Sequence, residues 1–216
     1  MRYQLAIFDM DGTILNTLQD LTNSLNAALQ LSGYPQHTLE EVRFFVGNGI
    51  RKLIERGVPA GTPVAQIDKV HQDFTEHYRV HCADTTQPYA GIPELLQQLR
   101  NAGCKTAVVS NKADYAVQEL YKQYFDGMFD FAVGERKNIL KKPAPDAVNE
   151  VLQQLQTDRS QAVYIGDSDV DVETAKNAKM DGIFVDWGFR SRAFLLEHGA
   201  KTIVSHPAEL AKKILG

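Results

Sequence analysis

Cysteine is scarce in this 216-residue chain: there are two, Cys82 and Cys104, 22 positions apart. Two thiolates are too few for a zinc site made of cysteine alone and too few for a disulfide scaffold. Both are expected as free thiols in a reducing compartment, which makes the cytoplasm the expected location. No apolar run approaches the ~18 residues of a membrane span. Met1-Arg2-Tyr3-Gln4 runs straight into a short apolar stretch without signal-peptide architecture. Repeats and low-complexity tracts are missing, which excludes solenoids and fibrous folds. A strong charge bias is missing as well. The 23 Lys and Arg against 27 Asp and Glu leave a net charge of −4. That balance gives no footprint for nucleic acid and no attraction to anionic membranes. Neither partner is expected, and nothing points beyond a monomer or a weak homodimer.

What is present is ample apolar material, 44% of residues, enough to bury a core. At ~150 residues per domain, the length suits one large unit, or a medium one with a small insert. Short apolar runs recur, each ending in a polar turn. Leu5-Ala6-Ile7-Phe8 ends at Asp9, Thr106-Ala107-Val108-Val109 at Ser110, and Asp130-Phe131-Ala132-Val133 at Gly134. Ala162-Val163-Tyr164-Ile165 ends at Gly166, Gly182-Ile183-Phe184-Val185 at Asp186, and Thr202-Ile203-Val204 at Ser205. Runs this short and apolar on both faces read as parallel strands of a covered sheet. Helical periodicity lies between them, over 93–102, 112–122, 145–155, 169–179 and 207–215. The fold class is α/β, a doubly wound parallel sheet of Rossmann-like type. Residues 16–88 break the alternation, with helical faces and no convincing strand. The expected organisation is a core of residues 1–15 and 89–216 interrupted by a helical domain of 16–88.

Ligands of open parallel sheets bind outside the carboxyl ends of the strands, and four polar clusters fall there. Asp9-Met10-Asp11-Gly12-Thr13 offers two carboxylates that can face one site, one as nucleophile and one as general acid and base. By itself it reads equally well as a polar turn. Ser110-Asn111-Lys112 can bind an anion at a helix start, or Ser110 can be a plain N-cap. Lys141-Lys142-Pro143-Ala144-Pro145-Asp146 can place an ammonium against a phosphate, or be a basic loop. Gly166-Asp167-Ser168-Asp169-Val170-Asp171 offers carboxylates suited to Mg²⁺. A Ca²⁺ loop of the EF-hand kind is excluded there: its sixth position is Val172 instead of Gly and its twelfth Ala178 instead of Glu. Asp169 itself reads as a solvated acid in a first helical turn.

Taken together and in this order, the four clusters resemble the haloacid dehalogenase-like hydrolase superfamily over essentially the whole chain. Asp9-x-Asp11-Gly12-Thr13 looks like its first motif, Ser110 its second, Lys142 its third, and Gly166-Asp167-Ser168-x-x-Asp171 its fourth. The insert after the first motif resembles that superfamily's helical cap. The resemblance implies a Mg²⁺-dependent phosphatase acting on a small phosphorylated metabolite through an aspartyl-phosphate. Asp9 is the implied nucleophile and Asp11 the implied acid and base, with a pKa above the ordinary value of ~3.9. Asp9, the Asp11 carbonyl and Asp167 are the implied Mg²⁺ ligands, with Asp171 behind them orienting metal waters or Lys142. Thr13, Ser110, Asn111 and Lys142 are the implied phosphate contacts. Asp11 also argues against dehalogenation, which needs no acid there.

Substrate choice is expected to lie in the insert. Val46-Gly47-Asn48-Gly49, opening a helix, looks like the corresponding segment of phosphoglycolate phosphatases, and Asn48 is the expected substrate contact, ahead of Arg51. A helix–helix turn is the alternative. Asn16 stands where many relatives carry Asp, as it does in some pyrophosphate-cleaving ones, so a pyrophosphatase remains an alternative. A phosphosugar mutase of the β-phosphoglucomutase kind is another. Those relatives carry a histidine soon after the first motif, whereas the first histidine here is His37. A phospho-accepting receiver is disfavoured, because receivers have no such insert. His77 and His81, four apart, have spacing that can bind zinc. No Glu of the metalloprotease pattern accompanies them, and coincidence is the simpler reading. Trp187-Gly188-Phe189-Arg190 can line the site or simply pack.

Overall fold

Six apolar runs pair side by side into one parallel sheet in a computed structural model that describes residues 1–216. The strands are β1 (Leu5–Phe8), β4 (Lys105–Ala113), β5 (Phe131–Glu135), β6 (Ala162–Gly166), β7 (Asp181–Val185) and β8 (Ile203–Val204). Their order is β5-β4-β1-β6-β7-β8, every pair parallel. β1 lies at the centre, with Leu5 opposite Lys105 on one side and Ala162 on the other. The chain builds outward from β1 through β4 to β5. It then crosses back to build β6, β7 and β8 on the opposite flank, which creates a topological switch point beside β1.

Both faces of the sheet are buried, which is why the runs are continuously apolar instead of alternating. Leu5, Ile7, Ala107, Val109 and Tyr164 join one core layer with Val148 and Val151 of α7 (Asp146–Gln154) and Val172 and Ala175 of α8 (Asp169–Asn177). The intervening residues Ala6, Phe8, Val108, Val163 and Ile165 are equally buried on the other face. α5 (Ile92–Asn101) and α6 (Asp114–Phe125) pack on β4 and β5, and α10 (Pro207–Leu215) packs on α5. α9 (Arg192–Glu197) follows β7. It is too short to register as a helical period.

The chain divides into two compact units, Met1–Leu15 with Pro88–Gly216, and Asn16–Gln87. The boundary falls within two-residue strands, β2 (Leu15–Asn16) and β3 (Gln87–Pro88), which form a separate small sheet. Strands of two residues carry no readable alternation.

The second unit contains α1 (Leu18–Leu31), α2 (Leu39–Phe45), α3 (Ile50–Gly57) and α4 (Val64–His81). α1 and α4 pack along each other, and Leu25, Leu29, Phe74 and Tyr78 are fully buried. Burial of each such side chain is worth about 1.5–3 kcal/mol. Asp20 is a buried acid in α1 that the apolar pattern does not reveal. Its carboxylate accepts from the backbone N–H and the hydroxyl of both Thr85 and Thr86, at 2.5–3.1 Å. Four donors satisfy the charge and fasten the start of α1 to the segment that follows α4.

Candidate active site

The ends of β1, β4 and β6 lie side by side and present their polar residues to one place. Asp9 extends β1 by one rung, its N–H donating to the Ile165 carbonyl at 2.8 Å. Its Oδ1 accepts from the Met10 N–H at 2.7 Å and from Lys142 Nζ at 2.8 Å. The chain then turns sharply. The N–H groups of Thr13, Ile14 and Leu15 all converge on the Met10 carbonyl at 3.0–3.3 Å. Gly12 is required there twice over. Its φ of +83° is left-handed, and a Cβ on it would overlap the Asp167 carboxylate.

β4 continues through Ser110, Asn111 and Lys112 to Ala113, and α6 begins only at Asp114. The cluster therefore sits on a strand end, not at a helix N-terminus, and Ser110 is not an N-cap. A register shift against β5 between Val109 and Ala113 marks the irregular strand end. Ser110 Oγ accepts from the Lys112 N–H at 3.2 Å. Asn111 Nδ2 donates to the Lys142 carbonyl at 2.9 Å, so Asn111 ties the lysine loop to β4. Lys112 is buried and donates to Asp11 Oδ1 at 2.8 Å. The two-residue spacing of Ser110 and Lys112 is the sequence signal that could have pointed to Lys112, since such residues share a face in a regular strand.

Lys142 Nζ is the hub of the buried charges, donating to Asp9 Oδ1 at 2.8 Å, Asp171 Oδ1 at 2.9 Å and the Tyr164 hydroxyl at 3.0 Å. Burial disfavours its charge, but Asp171 and Asp9 outweigh burial and hold the ammonium well above its ordinary pKa. Tyr164 in turn donates to Asp171 Oδ1 at 2.9 Å. Asp171 is fully committed. Its Oδ2 accepts from Ser168 Oγ at 2.6 Å, Ser168 N–H at 3.1 Å and Asp167 N–H at 3.2 Å. Ser168 and Asp171 form a capping box that starts α8. Gly166 leaves room for it, since a Cβ there would overlap the Asp171 carboxylate.

Asp167 accepts from Thr13 Oγ1 at 3.1 Å on one oxygen and from the Phe189 N–H at 2.7 Å on the other. Thr13, expected at the phosphate, thus orients Asp167 through its hydroxyl. The 187–190 segment belongs to the site. Trp187 Nε1 donates to the Thr13 carbonyl at 3.1 Å, and a Cβ on Gly188 would overlap both the Gly12 carbonyl and Asp167. Tyr164 and this segment are the parts that sequence reading misses or leaves undecided. A tyrosine inside an apolar run gives no signal of its hydroxyl's partners, and Gly188 shows its purpose only through its neighbours. Asp169 is half-buried, 3.9 Å from Arg190 Nε.

Asp9, Asp167 and Asp171 are buried with ligand oxygens mutually within 4.8 Å. One ammonium, shared by two of these acids, leaves the group short of positive charge. Burial pushes the Asp9 pKa up to about 7 despite the pull of Lys142. Asp167 is also raised well above the carboxylate range, by burial first and then by the charges of Asp171 and Asp9. An all-oxygen donor set with excess negative charge fits a hard dication such as Mg²⁺. Asp171 accepts two donors at Oδ1 and three at Oδ2, whereas Asp167 accepts only one at each oxygen, so Asp9 and Asp167 are the carboxylates with acceptor capacity left to hold it.

Asn48 belongs to the second unit, in the loop between α2 and α3. Gly47 and Gly49 beside it have φ of 137° and 83°, and Gly49 opens α3. Arg51 is spent on ion pairs with Glu55, at 3.1 Å, and Asp68.

A family model described as haloacid dehalogenase-like hydrolase matches residues 6–185. A phosphoglycolate phosphatase of Aquifex aeolicus is 31% identical over 195 residues, covering 86% of both chains. An N-acetylmuramic acid 6-phosphate phosphatase of Pseudomonas aeruginosa is 30% identical over 219 residues, covering 97% of this chain and 94% of the relative. A crystal structure from Lactobacillus delbrueckii subsp. bulgaricus, provisionally named a phosphoglycolate phosphatase, superposes over 100% of both chains with a TM-score of 0.96 and 41% identity.

Proposed function

The chain belongs to the haloacid dehalogenase-like hydrolase family, and from that premise we propose that it is a Mg²⁺-dependent phosphatase of small phosphomonoesters, most like phosphoglycolate phosphatase. The carrying observation is the buried cluster of Asp9, Asp167, Asp171 and Lys142 at the ends of β1 and β6. It is an anionic nest with one fixed cation, suited to a dianionic phosphate only when a second cation is present.

In this reading Asp9 and Asp167, with the Asp11 carbonyl, hold Mg²⁺. Bound there, the ion neutralises repulsion between the carboxylates and the phosphate and favours ionised Asp9. Asp9 attacks phosphorus; the Asp9 O–P bond forms as the ester P–O bond breaks. Asp11 gives its proton to the leaving oxygen, then takes one from the water that cleaves the aspartyl-phosphate and frees Asp9. Lys112 holds Asp11 by its ammonium. Lys142 and the Ser110 hydroxyl meet charge on the transferring oxygens, which is the electrostatic share of the catalysis. Asn111 and Asp171 act through Lys142 by fixing its backbone and its ammonium. Thr13 keeps Asp167 in place for the ion.

The helical unit, residues 16–87, is the cap in this reading, with Asn48 as its substrate contact. The phosphoglycolate phosphatase relative supports a small carboxylated ester as substrate. The N-acetylmuramic acid 6-phosphate phosphatase, matching 97% of the chain, supports a phosphosugar acid as the second reading. The test is phosphate release from phosphoglycolate, N-acetylmuramic acid 6-phosphate, pyrophosphate, simple sugar phosphates and nucleotides, with Mg²⁺ and with chelator. The expected profile is Mg²⁺-dependent and highest on phosphoglycolate. No release from any monoester in Mg²⁺ would refute the proposal.

A further inference from the structure

His77 and His81 lie on successive turns at the end of α4, on one face of the helix. Their ring centroids are 4.3 Å apart with the planes tilted by 31°. Each ring is held at Nδ1 by a different partner. Ser24 Oγ on α1 lies 3.0 Å from His77 Nδ1, and Asp84 Oδ2, just past the helix, lies 2.7 Å from His81 Nδ1. A carboxylate has no proton to give, so His81 Nδ1 is the donor and Nε2 is the nitrogen left to act as a ligand. A serine hydroxyl can accept the Nδ1 proton of His77 in the same way. Burial, and then the proximity of His81, hold His77 below the ordinary imidazole pKa. Ser24 is fully buried and the two rings are half-exposed.

Metal-binding histidines anchor one ring nitrogen to a carboxylate or other acceptor and use the opposite one as ligand; here both rings are anchored at Nδ1. We propose that His77 and His81 form a two-imidazole clip for a borderline transition-metal dication such as Zn²⁺, with Asp84 and Ser24 as orienting groups. Imidazole pairs select Zn²⁺, Ni²⁺ or Cu²⁺ over Mg²⁺, which demands oxygen ligands. The clip is therefore chemically orthogonal to the aspartate cluster and lies wholly within the helical unit. A bound ion fastens the last turn of α4 and, through Ser24, ties it to α1.

The test is a Zn²⁺ titration of the ¹⁵N-labelled full chain in saturating Mg²⁺, read by histidine-ring ¹⁵N resonances. The residue-specific signal keeps any ion at the aspartates from being mistaken for one at the clip. Nε2 of His77 and Nε2 of His81 should shift together and saturate at one equivalent. His81→Ala should abolish the response of His77, and Asp84→Asn should weaken affinity by about 10–100-fold. His81 and Asp84 are surface side chains, so neither change threatens the fold. Unmoved Nε2 resonances, an unchanged His77 response in His81→Ala, or full affinity in Asp84→Asn would each overturn the proposal.

Discussion

Replacing Lys142 by Met keeps the length of the side chain and deletes the only charge that directly joins Asp9 to Asp171. Lys142 is 4% exposed, and its ammonium is bonded to both carboxylates and to Tyr164. Removing one partner of a buried ion pair leaves uncompensated charge and costs about 3–5 kcal/mol. With an m-value of about 2 kcal/mol/M, the urea midpoint should fall by about 1.5–2.5 M. Turnover should fall by about 10²–10³-fold, the usual cost of one preorganised donor to a transition-state oxygen. The decisive form is a double-mutant cycle with Asp171→Asn. Asp171 is the more deeply buried of the two acids, so the double variant should be less unstable than the sum of the singles, by about 0.5–3 kcal/mol. Urea unfolding at neutral pH and hydrolysis of an aryl phosphate in Mg²⁺ read both effects. A Lys142→Met variant within 1 kcal/mol of wild type, or a strictly additive cycle, would refute the claim that this ammonium balances the acid cluster.

Gly188→Ala should overlap Asp167 and the Gly12 carbonyl. It should raise the Mg²⁺ concentration for half-maximal activity by about 10–100-fold, and an unchanged Mg²⁺ dependence would count against Asp167 as a ligand. Asp20→Asn loses one of the oxygens that serve Thr85 and Thr86 and should cost about 2–4 kcal/mol in chemical unfolding. Tyr3 donates to Asp181 at 2.6 Å, and burial together with that carboxylate raises its pKa from 10.0 to about 12. A folded pKa above the unfolded one means that the stabilisation is complete below pH 10 and is lost as pH rises toward 12. Stability measured across that window should decline more steeply in wild type than in Tyr3→Phe.

The sheet and the clustered acids are legible in the sequence for the same reason. A strand buried on both faces is uniformly apolar, so the first polar residue after it marks its carboxyl end. That rule picks out Asp9, Ser110 and Asp167, and the structure brings all three to neighbouring strand ends. At β4 it marks the strand end too early, since the apolar run stops at Val109 but the strand goes on to Ala113. The polar residues there face other protein groups, such as Asp11 and the Lys142 carbonyl, which lie far off in sequence. Tyr164 is hidden by the converse effect, since its ring satisfies the apolar pattern while its hydroxyl serves the charge network. Gly188 and Phe189 act through backbone placement, which no side-chain pattern reports. The cluster of Asp20 with Thr85 and Thr86 joins residues 65 and 66 positions apart and becomes visible only once α1 and α4 are packed.

The central claim, that Asp9 is the nucleophile of a Mg²⁺-dependent phosphatase, is tested most directly by Asp9→Asn. The change is nearly isosteric, so circular dichroism and thermal unfolding should show a folded chain. Hydrolysis of a generic aryl phosphate in Mg²⁺ should vanish in the same preparation. Retained turnover in folded Asp9→Asn would contradict the account.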